Sequence, residues 1–341
     1  MKINVIAVDL AKNVFQVHGY SSTGERVLAK RVNRVGFQRL LEGLERDRLV
    51  VMEACGASHY WGRVCYRLGH RVQLLAAQHV RPYVVGNKTD SHDADAIYEA
   101  SRRGRLRSVP VKTLEAQDVM LSHRMRERRK KARVALVNQI RGFLAERGLV
   151  CGQGVAKLRS FMRDVIARGA SGEVTATLVT ALEELQAEWR TLDEELMQAE
   201  RRIRKHARST PACRRLETTP GIGVLTSSAA VALAGDGSSF ESSRQFSSWV
   251  GVTPKEHSSG EQRHLGGITK RGDGYLRMLL VHGARAVVAK AKYKEDAFSR
   301  WVVALIERRG YNKAVVAVAN KNARIIWALL RSDDVYRPAS G

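Results

Sequence analysis

The chain has 341 residues, enough for two or three domains with cores of their own. It carries 58 Lys and Arg against 34 Asp and Glu, a formal charge of +24, which points to a polyanionic partner, most simply nucleic acid. No run reaches the roughly eighteen uninterrupted apolar residues of a membrane-spanning helix. Ile3 to Leu10 is too short for a signal peptide and is interrupted by Asp9. Cys55, Cys65, Cys151 and Cys213 are widely spaced, so a zinc site or a disulfide framework is not expected and a reducing cytoplasm is.

Residues 3–9 read as a buried strand ending in Asp9. Asn13 to Tyr20 reads as a second strand, and Glu25 to Val32 as a third after the turn Ser21-Ser22-Thr23-Gly24. Phe37, Leu40, Leu41 and Leu44 predict a helix over 35–46. Leu49 to Glu53 is a short buried strand, again ending in an acid, followed by a helix over 58–68 and a strand over 71–75. Asn87-Lys88-Thr89-Asp90-Ser91-His92-Asp93-Ala94-Asp95 then opens a helix, with Thr89 or Asp90 as N-cap. The order of elements is the ribonuclease-H-like, mixed α/β pattern.

Asp90 and Asp93 are three apart and share a helix face. Two carboxylates there can simply compensate the positive helix end, and a lone acid at a strand end is usually a solvated loop residue. Asp9, Glu53, Asp90 and Asp93 together arrive from three elements at one edge of a sheet. That favours a second reading, in which they hold one or two Mg²⁺ ions that clamp a phosphodiester. Asp95 faces elsewhere and reads as structural.

A basic linker, Arg102-Arg103-Gly104-Arg105-Leu106-Arg107, leaves this region. The helix predicted over 114–148 carries Arg124 to Arg133, seven of whose ten residues are basic. Such a run can be a solvated face; with one acid among them, a phosphate backbone is the better partner. Residues 151–171 are poorly patterned, with one short helix. Leu178, Leu182, Leu185, Trp189, Leu192, Leu196, Ala199 and Ile203 then repeat at alternating spacings of four and three, a coiled-coil seam. It can pack on the basic helix or on a second copy of the chain, and its length favours the second copy. A further basic patch, Arg201 to Arg208, closes it.

Thr218-Thr219-Pro220-Gly221-Ile222-Gly223 before the apolar run 224–234 resembles a helix-hairpin-helix turn, whose glycines let backbone N–H groups approach a phosphate. A plain tight turn is equally compatible. Phe246, Trp249 and Val250 predict a helix ending at Gly251. The segment from Gly251 to Gly274 is polar and glycine-rich, so its side chains are free to face a ligand. Arg263, His264, Lys270 and Arg271 put positive charge around Ser258 and Ser259. A serine in a Ser-Gly pair is ordinarily a turn residue. Helices over 275–290 and 312–330 close the region, with Trp327 expected in the core.

Val8-Asp9-Leu10-Ala11-Lys12, Glu53-Ala54-Cys55-Gly56, Asn87 to Ala94, Pro220-Gly221-Ile222-Gly223 and Gly251-Val252-Thr253-Pro254 occur in that order across nearly the whole chain. They resemble the IS110 family of bacterial insertion-sequence transposases, in wording closest to its IS1111 subgroup. The resemblance implies a RuvC-like domain with an Asp-Glu-Asp-Asp set over 1–112, a basic helix and coiled coil over 113–210, and a mainly helical serine transposase domain over 211–341. Carried over residue by residue, the acidic set is Asp9, Glu53, Asp90 and Asp93, and the catalytic serine is Ser259, with Ser258 an adjacent rival. Beyond Gly260 the sequence departs from the form of the family's other branch, which leaves Arg263, His264 and Arg271 without assigned roles.

The resemblance also implies RNA-guided DNA recombination. A structured bridge RNA would pair with donor and target DNA, base pairing would supply sequence, and the protein would read shape and backbone. A homodimer assembling to a tetramer on DNA, associated with the nucleoid, is the implied state. Two rival readings come from the residues alone: a RuvC-like nuclease resembling a junction resolvase, with metal-bound water as nucleophile, and a non-catalytic nucleic-acid-binding protein with structural acids.

Overall fold

A computed structural model describes residues 2–86, 89–104, 106, 108–259, 262 and 264–338. Of the residues singled out above, Asn87, Lys88, Arg105, Arg107, Gly260 and Arg263 lie outside the described set. The chain forms two compact units, residues 1–117 with 233–242, and residues 118–232 with 243–341.

The first unit is built on a five-stranded sheet. Its elements are β1 (Val5–Leu10), β2 (Val14–Tyr20), β3 (Arg26–Asn33), α1 (Arg34–Glu42), β4 (Leu49–Glu53), α2 (Ser58–Arg67), β5 (Arg71–Leu75), α3 (Ala77–Val80) and α4 (Asp90–Ser101). The strand order is β3-β2-β1-β4-β5, with β1–β3 an antiparallel meander and β4 and β5 running parallel to β1. Strand periodicity sorts the side chains onto two faces. Ile6, Val8, Val50 and Met52 pack with Phe37, Leu41, Trp61 and Val64 from α1 and α2. Ala7 and Val51 belong to the opposite face, with Ala96, Ile97 and Ala100 of α4.

Helices dominate the remainder: α5 (Leu114–Ala145), α6 (Val155–Arg168), α7 (Ala176–Ser209), α8 (Pro211–Glu217), α9 (Val224–Ala234) and α10 (Ser243–Val250). A short hairpin, β6 (Pro254–Glu256) and β7 (Leu265–Ile268), precedes α11 (Gly274–Lys290), α12 (Ala297–Arg309) and α13 (Tyr311–Leu330). Among the described residues no helix is long and apolar enough to cross a membrane.

Several expectations change here. The poorly patterned stretch holds the whole of α6, whose Leu158, Met162 and Val165 are buried. The heptad seam is covered within the chain: Leu178, Leu182 and Trp189 share a core with Leu136, Ile140 and Leu144 of α5 and with the buried face of α6. Carboxylates of α7 also pair with the basic run, Glu200 with Arg126 (2.7 Å), Glu195 with Arg129 (2.8 Å) and Asp193 with Arg133 (2.7 Å). Partner numbers fall as the arginine numbers rise, so α5 and α7 run antiparallel. Three of the seven cations are therefore neutralised by α7, which the local sequence could not reveal, and a fourth, Lys130, pairs with Glu127 on its own helix (3.8 Å). Trp327 is only half-buried, and Ile326, Leu329 and Leu330 form the core side of α13.

Gly221 (φ +84°) serves packing. A Cβ there would meet the Gly283 carbonyl at 2.8 Å, so the two glycines let the turn before α9 lie directly on α11. The Ile222 N–H closes on the Thr219 carbonyl (3.0 Å), the geometry of a tight turn.

Candidate active site

In β1, Asp9 follows Ala7 by two residues, and in β4 Glu53 follows Val51 by two. Both acids therefore lie on the face that α4 covers. The parallel register pairs Val8 with Met52, so Asp9 and Glu53 are the next step on neighbouring strands. α4 packs against β1, β2, β4 and β5. Thr89 caps it by accepting from the His92 N–H (3.3 Å), which fixes Asp90 and Asp93 in the first turn. Asp93 lies four residues before buried Ile97, so its stripe is the one that faces the sheet. All four carboxylates thus come to one side of the sheet.

Among the described residues, no three His, Cys, Asp or Glu side chains are gathered tightly enough to form a metal cage by themselves. The donor set still suits Mg²⁺. That ion prefers hard oxygen ligands and is commonly held by one or two carboxylates with water and substrate phosphates completing the shell.

Asp95 does something different. It accepts from Tyr20 Oη (2.6 Å) and His18 Nδ1 (2.6 Å) on β2, and from Arg26 on β3 (3.0 Å). Burial pushes its carboxyl up, but the bonds from Tyr20 and His18 outweigh burial and leave it below the ordinary value. Burial and the bond to Asp95 raise the Tyr20 phenol. This acid ties the meander to α4, as expected.

Ser259 stands at the far end of the β6–β7 hairpin. The polar, glycine-rich segment is paired through its backbone: Thr269 N–H to Thr253 O (2.9 Å), His257 N–H to His264 O (3.0 Å), and a last bridge between Ser259 and Gln262. Composition gave no sign of it, because both strands are almost wholly exposed and no apolar alternation marks them. The two serines differ sharply. Ser258 Oγ donates to Glu256 Oε1 (3.0 Å) and accepts from the His264 N–H (3.3 Å). Ser259 is an exposed residue, and its hydroxyl makes no hydrogen bond among the described residues. Lys255, His257, His264, Lys270 and Arg271 are exposed around the same hairpin.

The hairpin base is held by Gly251, which opens the Gly-Val-Thr-Pro motif, and by Gly272 and Arg277, which the sequence did not single out. Gly251 (φ +82°) and Gly272 (φ +76°) sit where the two chain segments cross. A Cβ on the first would overlap the Arg271 carbonyl, and on the second the Trp249 carbonyl. Arg277 of α11 donates to the carbonyls of Val250 (3.0 Å) and Arg271 (2.9 Å), one on each side of the crossing.

Residues 213–300 match the family described as Transposase IS116/IS110/IS902, and residues 6–147 match the transposase domain designated DEDD_Tnp_IS110. A probable family 20 transposase of Pseudomonas aeruginosa is 45% identical over 99% of this chain and 100% of its own length. The transposase of insertion sequence element IS1111A of Coxiella burnetii is 42% identical over 98% of this chain and 92% of its own. A pilin gene-inverting protein of Moraxella lacunata is 33% identical over 35% of this chain and 36% of its own. With a DEDD transposase domain over its first strands and acids, a second family domain around the Ser259 hairpin, and full-length relatives, the chain belongs to the IS110 family of insertion-sequence transposases.

Proposed function

We propose that this transposase cuts and rejoins DNA through a covalent 5′-phosphoserine at Ser259, directed to its sites by a structured guide RNA. The observation that carries the nucleophile is the contrast within the Ser-Ser pair. Ser258 has its hydroxyl bonded twice inside the hairpin, whereas the hydroxyl of exposed Ser259 bonds no described residue and exposed cations surround the same hairpin.

In the reaction, Ser259 Oγ forms a bond to the scissile phosphorus and the P–O3′ bond breaks. The serine proton is passed on, and the departing 3′ oxygen leaves as a hydroxyl. The 3′-hydroxyl of the incoming strand then attacks the phosphoserine, restores the phosphodiester and returns the proton to Ser259. Bond energy is conserved through both esters, so no nucleotide triphosphate is needed, and the chain has no Walker-type loop. Lys255, Lys270 and Arg271 favour approach of the phosphate and offset the charge that builds on it. Asp9, Glu53, Asp90 and Asp93 would hold Mg²⁺, which when bound polarises the phosphate and neutralises part of its charge.

The gene-inverting relative supports the break-and-rejoin reading, because inversion restores every strand it opens. The net charge of +24 suits a protein that holds an RNA together with donor and target DNA, as a dimer pairing into a tetramer. A denaturing-gel assay with guide RNA, Mg²⁺ and suicide DNA substrates tests the reading. A protein–DNA adduct should form with wild type and vanish with Ser259→Ala. Cleavage without an adduct, unaffected by that substitution, would instead identify a RuvC-like nuclease that uses water.

A further inference from the structure

One concavity of the second unit belongs to neither the acidic face nor the hairpin. It is a groove of about 590 Å³ between α5 and the start of α11. Arg124, Arg128 and Lys131 line it at i, i+4 and i+7 of one helix face, a stripe about 10 Å long. They are the exposed members of the basic run and form no ion pair with a described residue, unlike Arg126, Arg129 and Arg133 on the α7 side.

Met120, which is buried, and Met278 and Tyr275, which are half-buried, line the groove with these exposed cations, and a directional hydrogen-bond chain fixes the tyrosine. Ser228 Oγ donates to the Val224 carbonyl (2.6 Å), so it must accept from His123 Nε2–H (3.0 Å). His123 Nδ1 is then the acceptor for the Tyr275 hydroxyl (2.9 Å). With its proton committed to His123, Tyr275 offers the groove its ring. Two carboxylates also line the groove. Glu127 pairs with Arg126 (2.8 Å), and Asp273 caps α11 through the Leu276 N–H (2.8 Å). Their remaining lone pairs can accept only from a ligand that carries donors.

We propose that this groove holds an unpaired stretch of single-stranded RNA, with phosphates on Arg124, Arg128 and Lys131 and a base on Tyr275 and the two methionines. A cationic stripe above an apolar, aromatic floor is the arrangement that suits splayed nucleotides, whereas the backbone of a closed duplex has no use for the floor. The carboxylates favour ribose, because its 2′-hydroxyl is a donor that the deoxyribose sugar lacks. The choice of RNA deepens the guided reading above and rests on it.

The test measures anisotropy of short labelled single-stranded RNA, the same sequence as DNA, and duplex DNA, at fixed salt with full-length protein. R124Q/R128Q/K131Q should weaken RNA binding about tenfold or more and flatten its salt dependence, with duplex binding changed less than about threefold. The charge-matched R201Q/R204Q/K205Q protein should not discriminate between the two ligands. A 5-iodouridine RNA should photocrosslink to the tryptic peptide that contains Tyr275. Equal loss for RNA and duplex, no loss for RNA, or a crosslink confined to other peptides would overturn the groove. Single-stranded DNA held as tightly as RNA would overturn the assignment to RNA. Ser259→Ala protein should bind RNA like wild type, so failure of the groove and failure of the covalent chemistry are separately visible.

Discussion

Gly251 and Gly272 lie where the two segments flanking the Ser259 hairpin cross, each against the backbone of the other segment with no room for a side chain. The serine's placement therefore depends on two positions that carry no chemistry. Both have positive φ, so an L-residue is strained there as well as overlapping a carbonyl. Gly272→Ala should cost about 2–4 kcal/mol in urea unfolding of the unit and remove adduct formation although Ser259 is intact. A fully stable, active Gly272→Ala protein would contradict the crossing.

His123 makes stability depend on pH. It is fully buried, and burial, with Arg126 and His206 adding to it, lowers its pKa to about 4 from an ordinary 6.5. The unfolded chain binds a proton between those values and the folded one does not, so stability falls as pH drops from about 6.5 to 4, by on the order of 3 kcal/mol. His123→Phe should flatten that slope while lowering stability at pH 7, since Tyr275 and Ser228 lose their partner. Unfolding curves across pH 4–7 check this; an unchanged slope would show that His123 does not carry it.

The two kinds of acid should separate cleanly. Asp95→Asn removes a carboxylate that Tyr20, His18 and Arg26 all address, and should destabilise the first unit by about 1–2 kcal/mol after allowance for solvent screening. Asp9→Asn should leave the melting temperature nearly unchanged and abolish DNA processing. Thermal melts and the cleavage assay on both proteins provide the comparison, and unaltered DNA processing by Asp9→Asn would favour the non-catalytic reading.

The α5–α7 pairing is testable by charge exchange. Arg129→Glu alone places two acids together and should cost about 1 kcal/mol, and Arg129→Glu with Glu195→Arg should recover most of it. No recovery in the double variant would mean that the two side chains are not coupled.

What the sequence made legible follows from how each element announces itself. The strands of the first unit carry dense apolar patterns ending in acids, and Thr89 signals its cap, so the strand ends that carry Asp9 and Glu53 and the helix start that carries Asp90 and Asp93 could be placed before any coordinates. The hairpin around Ser259 is polar on both strands, and only backbone pairing defines it. The fate of the basic run was hidden for another reason: the acids that pair with Arg126, Arg129 and Arg133 lie sixty or more residues away, on a helix whose seam looked suited to a second copy. The groove beside it was equally hidden, because His123 and Tyr275 are 152 residues apart.

The covalent step is tested most directly by locating the modified atom. Trypsin should release Glu256 to Arg263 as one peptide, containing both Ser258 and Ser259. After nuclease trimming of the adduct, tandem mass spectrometry should find a 5′-linked nucleotide on Ser259 and none on Ser258. A nucleotide on Ser258 or on another peptide, or DNA cleaved with no residue modified, would contradict the account.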